Sequence, residues 1–437
     1  MNKKYRLVVV QGPSQAISAI SVLRSVDSQK SNSKLLLKKK QTIFLVGCLC
    51  AAKNNLKLCN ATRQTIRALN YDNIICTNDL DKQYETKRIQ FEDYVNLINK
   101  RLNKKYFSEV FVARRMAYIN EAALRCSFSA KKICYGDGFG CFDNGFPNWA
   151  KPQPGNSFSD IDECRASIAF EENINGSLNK KITLQSAGYL KKCIGQSSKK
   201  YLFNKKPFLK NSRQKNNIFG LITTSNLLES GLVNKLSDEI ELYLKNILHL
   251  IPANSKQAYL VKGHPRETNN QSKILAAELK KYGINCYACD KNSSIPGEIV
   301  ISLFKPQEVI PLLSTVGYVS RLINPQIQIK YSDHMSKIFS KKNINRSFNW
   351  YLYPEKLQAL TLLASYPWDR CVKFAKLTIL SLLFRDLAIT FSPVNPQVRK
   401  EKEEQFRAFR NSSFSMFLLL LGSRARRLQK IQSLIPA

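Results

Sequence analysis

The chain is short of acidic residues, of histidine and of long apolar runs. Its 437 residues hold 32 Asp and Glu against 68 Lys and Arg, and three histidines, His249, His264 and His334. From Asn173 to Leu228 there are eleven Lys or Arg and no Asp or Glu. The resulting formal charge of +36 suits an anionic partner: nucleic acid, an acidic lipid surface or a polyanionic substrate. No stretch reaches the roughly 20 apolar residues that cross a bilayer. Behind the basic start Met1-Asn2-Lys3-Lys4-Tyr5-Arg6, the apolar run Leu7 to Val10 stops at Gln11-Gly12-Pro13, too soon for a signal peptide. Twelve cysteines are too few for a disulfide scaffold, and they sit in apolar runs such as Leu45-Val46-Gly47-Cys48-Leu49-Cys50 and Ile74-Ile75-Cys76. That is the setting of buried thiols in a reducing compartment, so a cytoplasmic chain is expected.

Apolar residues are plentiful, at 44% with 23 Phe and 18 Tyr, which excludes a disordered or fibrous chain. At roughly 150 residues per domain, the length fits two domains and an extension. Leu7–Val10, Thr42–Val46, Asn73–Cys76, Val110–Ala113 and Ile133–Tyr135 read as short strands. Between them run helical patterns: Ala16, Ile17, Ile20 and Leu23; Thr62, Ile66 and Leu69; Phe91, Tyr94, Val95, Ile98 and Leu102; and Asn120 to Cys126. Such alternation predicts a parallel sheet covered on both faces.

The pattern weakens from Cys141 to Asn217, which reads as late loops and an interdomain linker. It resumes with strands at Ile218–Thr223, Tyr259–Val261 and Asn285–Cys289, a further strand at Ile299–Leu303, and helices at Ser237–Leu250 and Ser272–Tyr282. Ser237, Asp238 and Glu239 are expected to cap the first of these helices. The expected organisation is α/β: two Rossmann-like domains facing a cleft, 1–210 and 211–345, with a helical basic extension at 346–437. In that extension Cys371–Phe384 and Phe414–Leu421 are apolar helical segments, and Phe391 to Ala437 holds nine basic and three acidic residues. An anionic membrane surface is one candidate partner for it, and packing on the main domains is the other reading.

In open α/β sheets, ligands bind beyond the carboxyl ends of the strands. Two loops there carry unusual chemistry. Ile133-Cys134-Tyr135-Gly136-Asp137-Gly138-Phe139-Gly140 runs from a strand into three glycines around one carboxylate. Glycine lets a substrate approach closely, and an acid held there can take a proton from an attacking hydroxyl. The other reading is a plain turn with Asp137 as a local acceptor. Tyr259-Leu260-Val261-Lys262-Gly263-His264-Pro265-Arg266 places a histidine between two cations after a strand. Imidazole can donate to a phosphate or protonate a leaving oxygen near neutral pH, and Lys262 and Arg266 add charge for an anion. His249 and His334 read as surface residues.

Tyr135-Gly136-Asp137-Gly138, Lys262-Gly263-His264-Pro265-Arg266 and the later Ser314-Thr315 resemble the bacterial sialyltransferases of GT-B type, nearest the α-2,8-polysialyltransferase family. Thr223-Thr224-Ser225-Asn226 with Glu229, and Pro296-Gly297-Glu298, agree with it in order and spacing. The resemblance covers about residues 5 to 335. It implies transfer of a sialic acid or related nonulosonic acid from a CMP-activated donor to an acceptor hydroxyl, with inversion and with no metal or cofactor, and the positive charge of the chain suits an acidic glycan as that acceptor. It assigns Asp137 as general base and His264 to the CMP phosphate and its departure. Ser314 and Thr315 would bind the same phosphate and Glu298 the cytidine ribose, with Lys262, Gly263, Pro265 and Arg266 completing the donor side. Gly136, Gly138, Gln15, Ser225 and Asn226 fall to the acceptor side and its loops. Many relatives carry two acids before the glycine, and Gly136 stands at the first of those positions here. Asp137 and His264 are thus expected to face each other across one gap, in an enzyme placed in the cytoplasm or at the inner membrane's surface.

Other patterns carry less. Asp79-Leu80-Asp81 and Asp160-Ile161-Asp162 match DxD, a three-residue pattern common by chance. Cys286-Tyr287-Ala288-Cys289 lacks the second pair of a zinc ribbon. Gly12-Pro13-Ser14-Gln15 occupies a substrate-loop position without a GxGxxG fingerprint. The competing readings are a GT-B enzyme using another nucleotide sugar, and a basic nucleic-acid-binding protein that is not an enzyme. Nucleic acid is disfavoured because no recognised binding module is present.

Overall fold

The computed structural model describes residues between Tyr5 and Lys330, excluding 32–40, 48–54, 114–116, 136–160, 167–181, 185–186, 204–217, 229–232, 290–294 and single positions that include Asn226, Arg266 and Thr315. The expected C-terminal helices, at 371–384 and 414–421, lie outside the described residues, as does His334.

The first sheet has seven parallel strands: β1 (Tyr5–Val10), β2 (Gln41–Val46), β3 (Ile74–Cys76), β4 (Phe107–Val112), β5 (Lys131–Cys134), β6 (Glu163–Ala166) and β7 (Ile182–Leu184). Their order is β3-β2-β1-β4-β5-β6-β7. The second sheet has five: β8 (Ile218–Thr223), β9 (Ala258–Lys262), β10 (Cys286–Ala288), β11 (Glu308–Pro311) and β12 (Gln328–Ile329). These run β10-β9-β8-β11-β12, again all parallel. Both orders reverse direction beside their first strand, as in the Rossmann fold, so each sheet has a switch point: between β1 and β4, and between β8 and β11.

The continuous apolar run of β1 reflects cover on both faces, and Leu7, Val8, Val9 and Val10 are fully buried. Helix α1 (Pro13–Ser31) sets Ala16, Ala19, Ile20 and Leu23 into the same core. Arg6 of β1 is also buried. Its guanidinium donates to Glu109 of β4 at 2.8 Å and to Asp27 of α1 at 2.9 Å, so ion pairs join two strands and a helix. Helices α2 (Asn55–Ala68), α3 (Asn78–Glu85), α4 (Phe91–Arg101) and α5 (Tyr118–Cys126) complete the first layer set. Around the second sheet lie α7 (Leu236–Leu248), α8 (Gln271–Lys281), α9 (Gly297–Phe304) and α10 (Val316–Ile323).

Three expectations are corrected. The stretch 141–217 is not only loop and linker, for it holds β6, β7 and α6 (Ala187–Phe203). Strands of four and three residues, Glu163-Cys164-Arg165-Ala166 and Ile182-Thr183-Leu184, are too short to show a period. Helix α6 contacts α1, α2, α9 and α10; Lys191, Lys192, Lys199 and Lys200 stay exposed, while its buried face includes Ser197 and Ser198, which dilute the apolar period. Residues 299–303 belong to helix α9 rather than a strand. A short apolar β-branched run is compatible with a buried helix, and Pro296 and Gly297 at its start decide it. Last, Ser237, Asp238 and Glu239 lie inside the first turn of α7, whose N-cap is Lys235 with no side-chain cap. Glu239 faces inward instead, and its carboxylate accepts the Leu227 and Leu228 amides at 3.2 Å each.

Candidate active site

The chain leaves β8 through Thr224 and Ser225. The Ser225 hydroxyl donates to the Leu312 carbonyl at 2.6 Å, bridging the loops after β8 and β11 across the switch point. The Tyr243 hydroxyl of α7 accepts the Ser225 amide at 3.0 Å and donates to Glu239 at 2.7 Å. That network fixes the first loop of the site.

The second loop follows β9. The Thr224 amide donates to the Lys262 carbonyl at 3.1 Å, and the His264 amide donates to Thr224 Oγ1 at 3.1 Å, so the two loops are tied together. Glu267 then caps α8, accepting both the Ser272 amide and its hydroxyl at 2.9 Å. Gly263 has no room for a side chain, because a Cβ there would overlap the Glu267 carboxylate. His264 and Pro265 are half-buried at the rim. Lys262 is turned inward, 2% exposed, and its ammonium donates to the Gly263 carbonyl. Burial pushes its pKa down, opposed by Cys289, Glu267 and Glu298, while Lys57 of α2 pushes the same way as burial. Lys57 is exposed, and its field reaches this site from the first layer set.

Glu298 stands in the first turn of α9, where the helix dipole favours a carboxylate. Ser14 Oγ, in the first turn of α1, donates to Glu298 Oε2 at 3.3 Å. The carboxyl edge of the first sheet therefore meets that of the second at this point. Burial raises the Glu298 pKa, against its own backbone amide, Ser14 and Lys262, which favour the anion. The Ser314 hydroxyl accepts the Val316 amide at 3.3 Å and so caps α10. A Cβ on Gly297 would come within 2.6 Å of Val316 Cγ2, so glycine allows α9 and α10 to approach at their amino ends. Two helix N-termini converging on one edge favour a bound anion.

On the first sheet, the Gln11 amide donates to Gln15 Oε1 at 2.8 Å, closing the turn into α1. Gln11 is 2% exposed, and among the described residues its Nε2 has no hydrogen-bond partner. Tyr135, after β5, is buried, and its hydroxyl donates to the Val9 carbonyl at 2.8 Å. Gly136, Asp137 and Gly138 follow it and lie outside the described residues, as do Asn226, Arg266 and Thr315. The expected facing of Asp137 and His264 therefore falls outside them too. Around one junction the structure gathers Ser14, Lys262 and Glu298, with His264 tied to Thr224 beside them.

A family model described as alpha-2,8-polysialyltransferase matches residues 6–331, from β1 to just past β12. The chain belongs to the α-2,8-polysialyltransferase family. It is a sialyltransferase-like glycosyltransferase, using a nucleotide-sugar donor and a glycan acceptor. No curated protein matches this polysialyltransferase-family chain. Among solved structures it is similar to one described as a UDP-N-acetylglucosamine 2-epimerase from Listeria monocytogenes, with 11% identity and a TM-score of 0.39, covering 74% of this chain and 78% of that one.

Sequence reading of this polysialyltransferase-family member set Gly12-Pro13-Ser14-Gln15 at a substrate-loop position but singled out only Gln15 in it, and it passed over Gln11. The available signal for Ser14 and Gln11 was their position directly after β1, the central strand of its sheet. The DxD pattern Asp79-Leu80-Asp81 is built into the fold: Asp79 pairs with Arg101, and buried Asp81 accepts the Tyr94 hydroxyl at 2.6 Å. Of the other pattern, Asp160 lies outside the described residues, while Asp162 accepts the Lys132 amide at 2.7 Å. Cys286 and Cys289 are both buried.

Proposed function

We propose that this polysialyltransferase-family enzyme moves a sialic acid, or a related nonulosonic acid, from a CMP-activated donor to a hydroxyl of an acidic glycan, with inversion and without a metal. The observation that carries the reading is the junction of Ser14 with Glu298, where the carboxyl edges of two Rossmann-like sheets meet beside Lys262. A donor bound on the second sheet would present its sugar toward the first.

In this reading the CMP phosphate lies at the amino end of α10, held by Ser314 and Thr315, with the His264 imidazole donating to it and supporting its departure. Glu298 takes the cytidine ribose. Lys262 acts from beneath its own loop as a buried charge, and Arg266 adds a second cation. Asp137 is the general base, taking the acceptor hydroxyl proton as that oxygen attacks the anomeric carbon. Gly136, Gly138, Gln15, Ser225 and Asn226 shape the acceptor side. Gln15 and Ser225 do so by fixing loop backbone, the roles their hydrogen bonds already give them. We place the enzyme in the cytoplasm or peripherally at the inner membrane, with an anionic membrane surface as one reading of its basic C-terminal extension and packing on the main domains as the other.

A thermal-shift screen of the full chain with CMP, UDP and GDP tests the donor, since a ligand that binds the native state raises the melting temperature. CMP alone should raise it. A shift with UDP or GDP and none with CMP would assign another nucleotide sugar, and retention of oligonucleotides without any nucleotide shift would overturn the enzyme reading. Transfer from CMP-sialic acid should persist in EDTA and give a product of inverted anomeric configuration.

A further inference from the structure

The first layer set contains a pair of thiols that the transfer reaction does not use. Cys59 sits on α2, 3% exposed, and Cys76 is the half-buried last residue of β3. Their sulfurs lie 3.5 Å apart, Cys59 donating to Cys76. Three guanidinium groups bear on Cys76. Arg63 and Arg67 follow Cys59 by one and two turns of α2, on the same face of the helix. Arg101 of α4 donates to the Cys76 carbonyl at 2.6 Å and is held there by Asp79. Among the described residues, Arg63 Nε is buried without a hydrogen-bond partner.

Electrostatics separates this thiol from others in the chain. The Cys76 pKa falls to about 7, chiefly through the hydrogen bond from Cys59, with burial opposing and Arg63, Arg101 and Arg67 adding to the fall. Burial alone pushes Cys126 up to about 11, and it raises Cys286 to about 12 against Lys280. Thiolate character with partial exposure is what makes a cysteine reactive, and a second thiol in contact with it can resolve the first oxidised product.

We propose that Cys59 and Cys76 form a peroxide-responsive dithiol that closes to a reversible disulfide. The Cys76 thiolate attacks one peroxide oxygen: the S–O bond forms, the O–O bond breaks, and the departing hydroxide takes a proton to become water. Cys76 is then a sulfenic acid, oxidised by two electrons. Cys59 sulfur attacks Cys76 sulfur, the S–O bond breaks, and the hydroxide leaves with the Cys59 proton as a second water. In sum, two thiols and one peroxide give one disulfide and two waters, and a dithiol reductant reverses the product. Bond formation draws the sulfurs from 3.5 Å to about 2.05 Å and fastens α2 to β3. Helix α2 also packs on α1, whose first turn carries Ser14, and on α6, which reaches α9. The link therefore acts on the framework behind the donor site.

The test is brief hydrogen peroxide treatment of the full chain, quenching by alkylation, and peptide mapping by mass spectrometry with and without prior reduction. A Cys59–Cys76 cross-linked peptide should form at near-neutral pH and vanish on reduction. In Cys59→Ser, Cys76 should instead gain one oxygen and be trapped by a sulfenic-acid probe, and in Cys76→Ser neither product should appear. The wild-type map stands even if a variant fails to fold. Absence of the cross-link while other cysteines oxidise, or a cross-link joining Cys76 to another residue, would overturn the proposal.

Discussion

Ser14 Oγ donates to Glu298 Oε2 at 3.3 Å, joining the first turn of one helix to the first turn of another across 284 positions of chain. The two partners are unequal. Ser14 is exposed, whereas Glu298 is half-buried and feels both Lys262 and the amino end of its own helix.

That inequality makes a prediction. Ser14→Ala should cost under about 1 kcal/mol of stability, as expected for a solvent-accessible hydrogen bond. Glu298→Ala should lower kcat/KM by about 10- to 100-fold, the equivalent of a hydrogen bond to a charged group, while Glu298→Gln should recover part of it. Steady-state kinetics with the CMP-activated donor, beside thermal unfolding, separates the two. Equal losses for Ser14→Ala and Glu298→Ala would contradict a donor role for the carboxylate.

The His264 loop should divide chemistry from positioning. His264→Ala and Asp137→Ala should each cut turnover by about 10²- to 10⁴-fold, the usual range for a general acid or base, with little change in melting temperature. Thr224→Val removes the acceptor of the His264 amide and should lower turnover less while also reducing stability, because it strands a backbone donor. Full activity in both alanine variants would show that the catalytic groups lie elsewhere.

Arg6 should be a stability determinant, since it joins β1, β4 and α1 from a buried position. Burial disfavours its charge, yet Asp27 and Glu109 hold its pKa above the usual arginine range. Arg6→Leu takes from Glu109, 5% exposed, the guanidinium that donates to it at 2.8 Å. The expected cost is about 3–5 kcal/mol, measured by urea unfolding. The double variant Arg6→Leu with Glu109→Leu should recover a large part of that loss.

Glu85 gives the fold a pH dependence. Its carboxyl is pushed up to about 7 by burial, against the hydrogen bond from Tyr118 and with the nearby Asp81 adding to the rise. The folded state thus holds a proton that the unfolded chain releases near pH 4.5, so this contribution is fully present below about 4.5 and is lost as pH rises through about 7. Solvent screening of a half-buried group limits the loss to about 1–2 kcal/mol. Glu85→Gln should flatten unfolding free energy between those limits and be the more stable protein at pH 8. An unchanged slope would place the titration on another group.

Much of the fold could be read directly. The runs of β1, β2, β4 and β8 are apolar and β-branched because these strands are covered on both faces, and α2, α4 and α5 each show one apolar stripe, whereas α1 is buried almost all round. Elements failed to show where that logic fails. Strands β6 and β7 are too short to display a period, the buried face of α6 includes Ser197 and Ser198, and the run Ile299-Val300-Ile301 suits a buried helix as well as a strand. Glu239 looked like a cap and became a buried acceptor, since only the folded chain brings the Leu227 and Leu228 amides to it. The loops bearing His264 and Glu298 were legible because each follows a recognisable strand or turn. The loop bearing Ser14 was legible as a substrate loop after the first strand, but the contact of Ser14 with Glu298 was not, because its partner lies 284 positions away.

Local pattern by itself determined that this is a parallel α/β chain with two Rossmann-like halves, and ordered motifs determined its family. Strand order, the inward turn of Lys262, the meeting of Ser14 with Glu298 and the contact of Cys59 with Cys76 were decided only in three dimensions. Hydrophobic periodicity is written over a few residues and survives in the linear chain. The environment of a charge or a thiol is set by neighbours tens to hundreds of positions away, and it exists only once the sheets have closed around it.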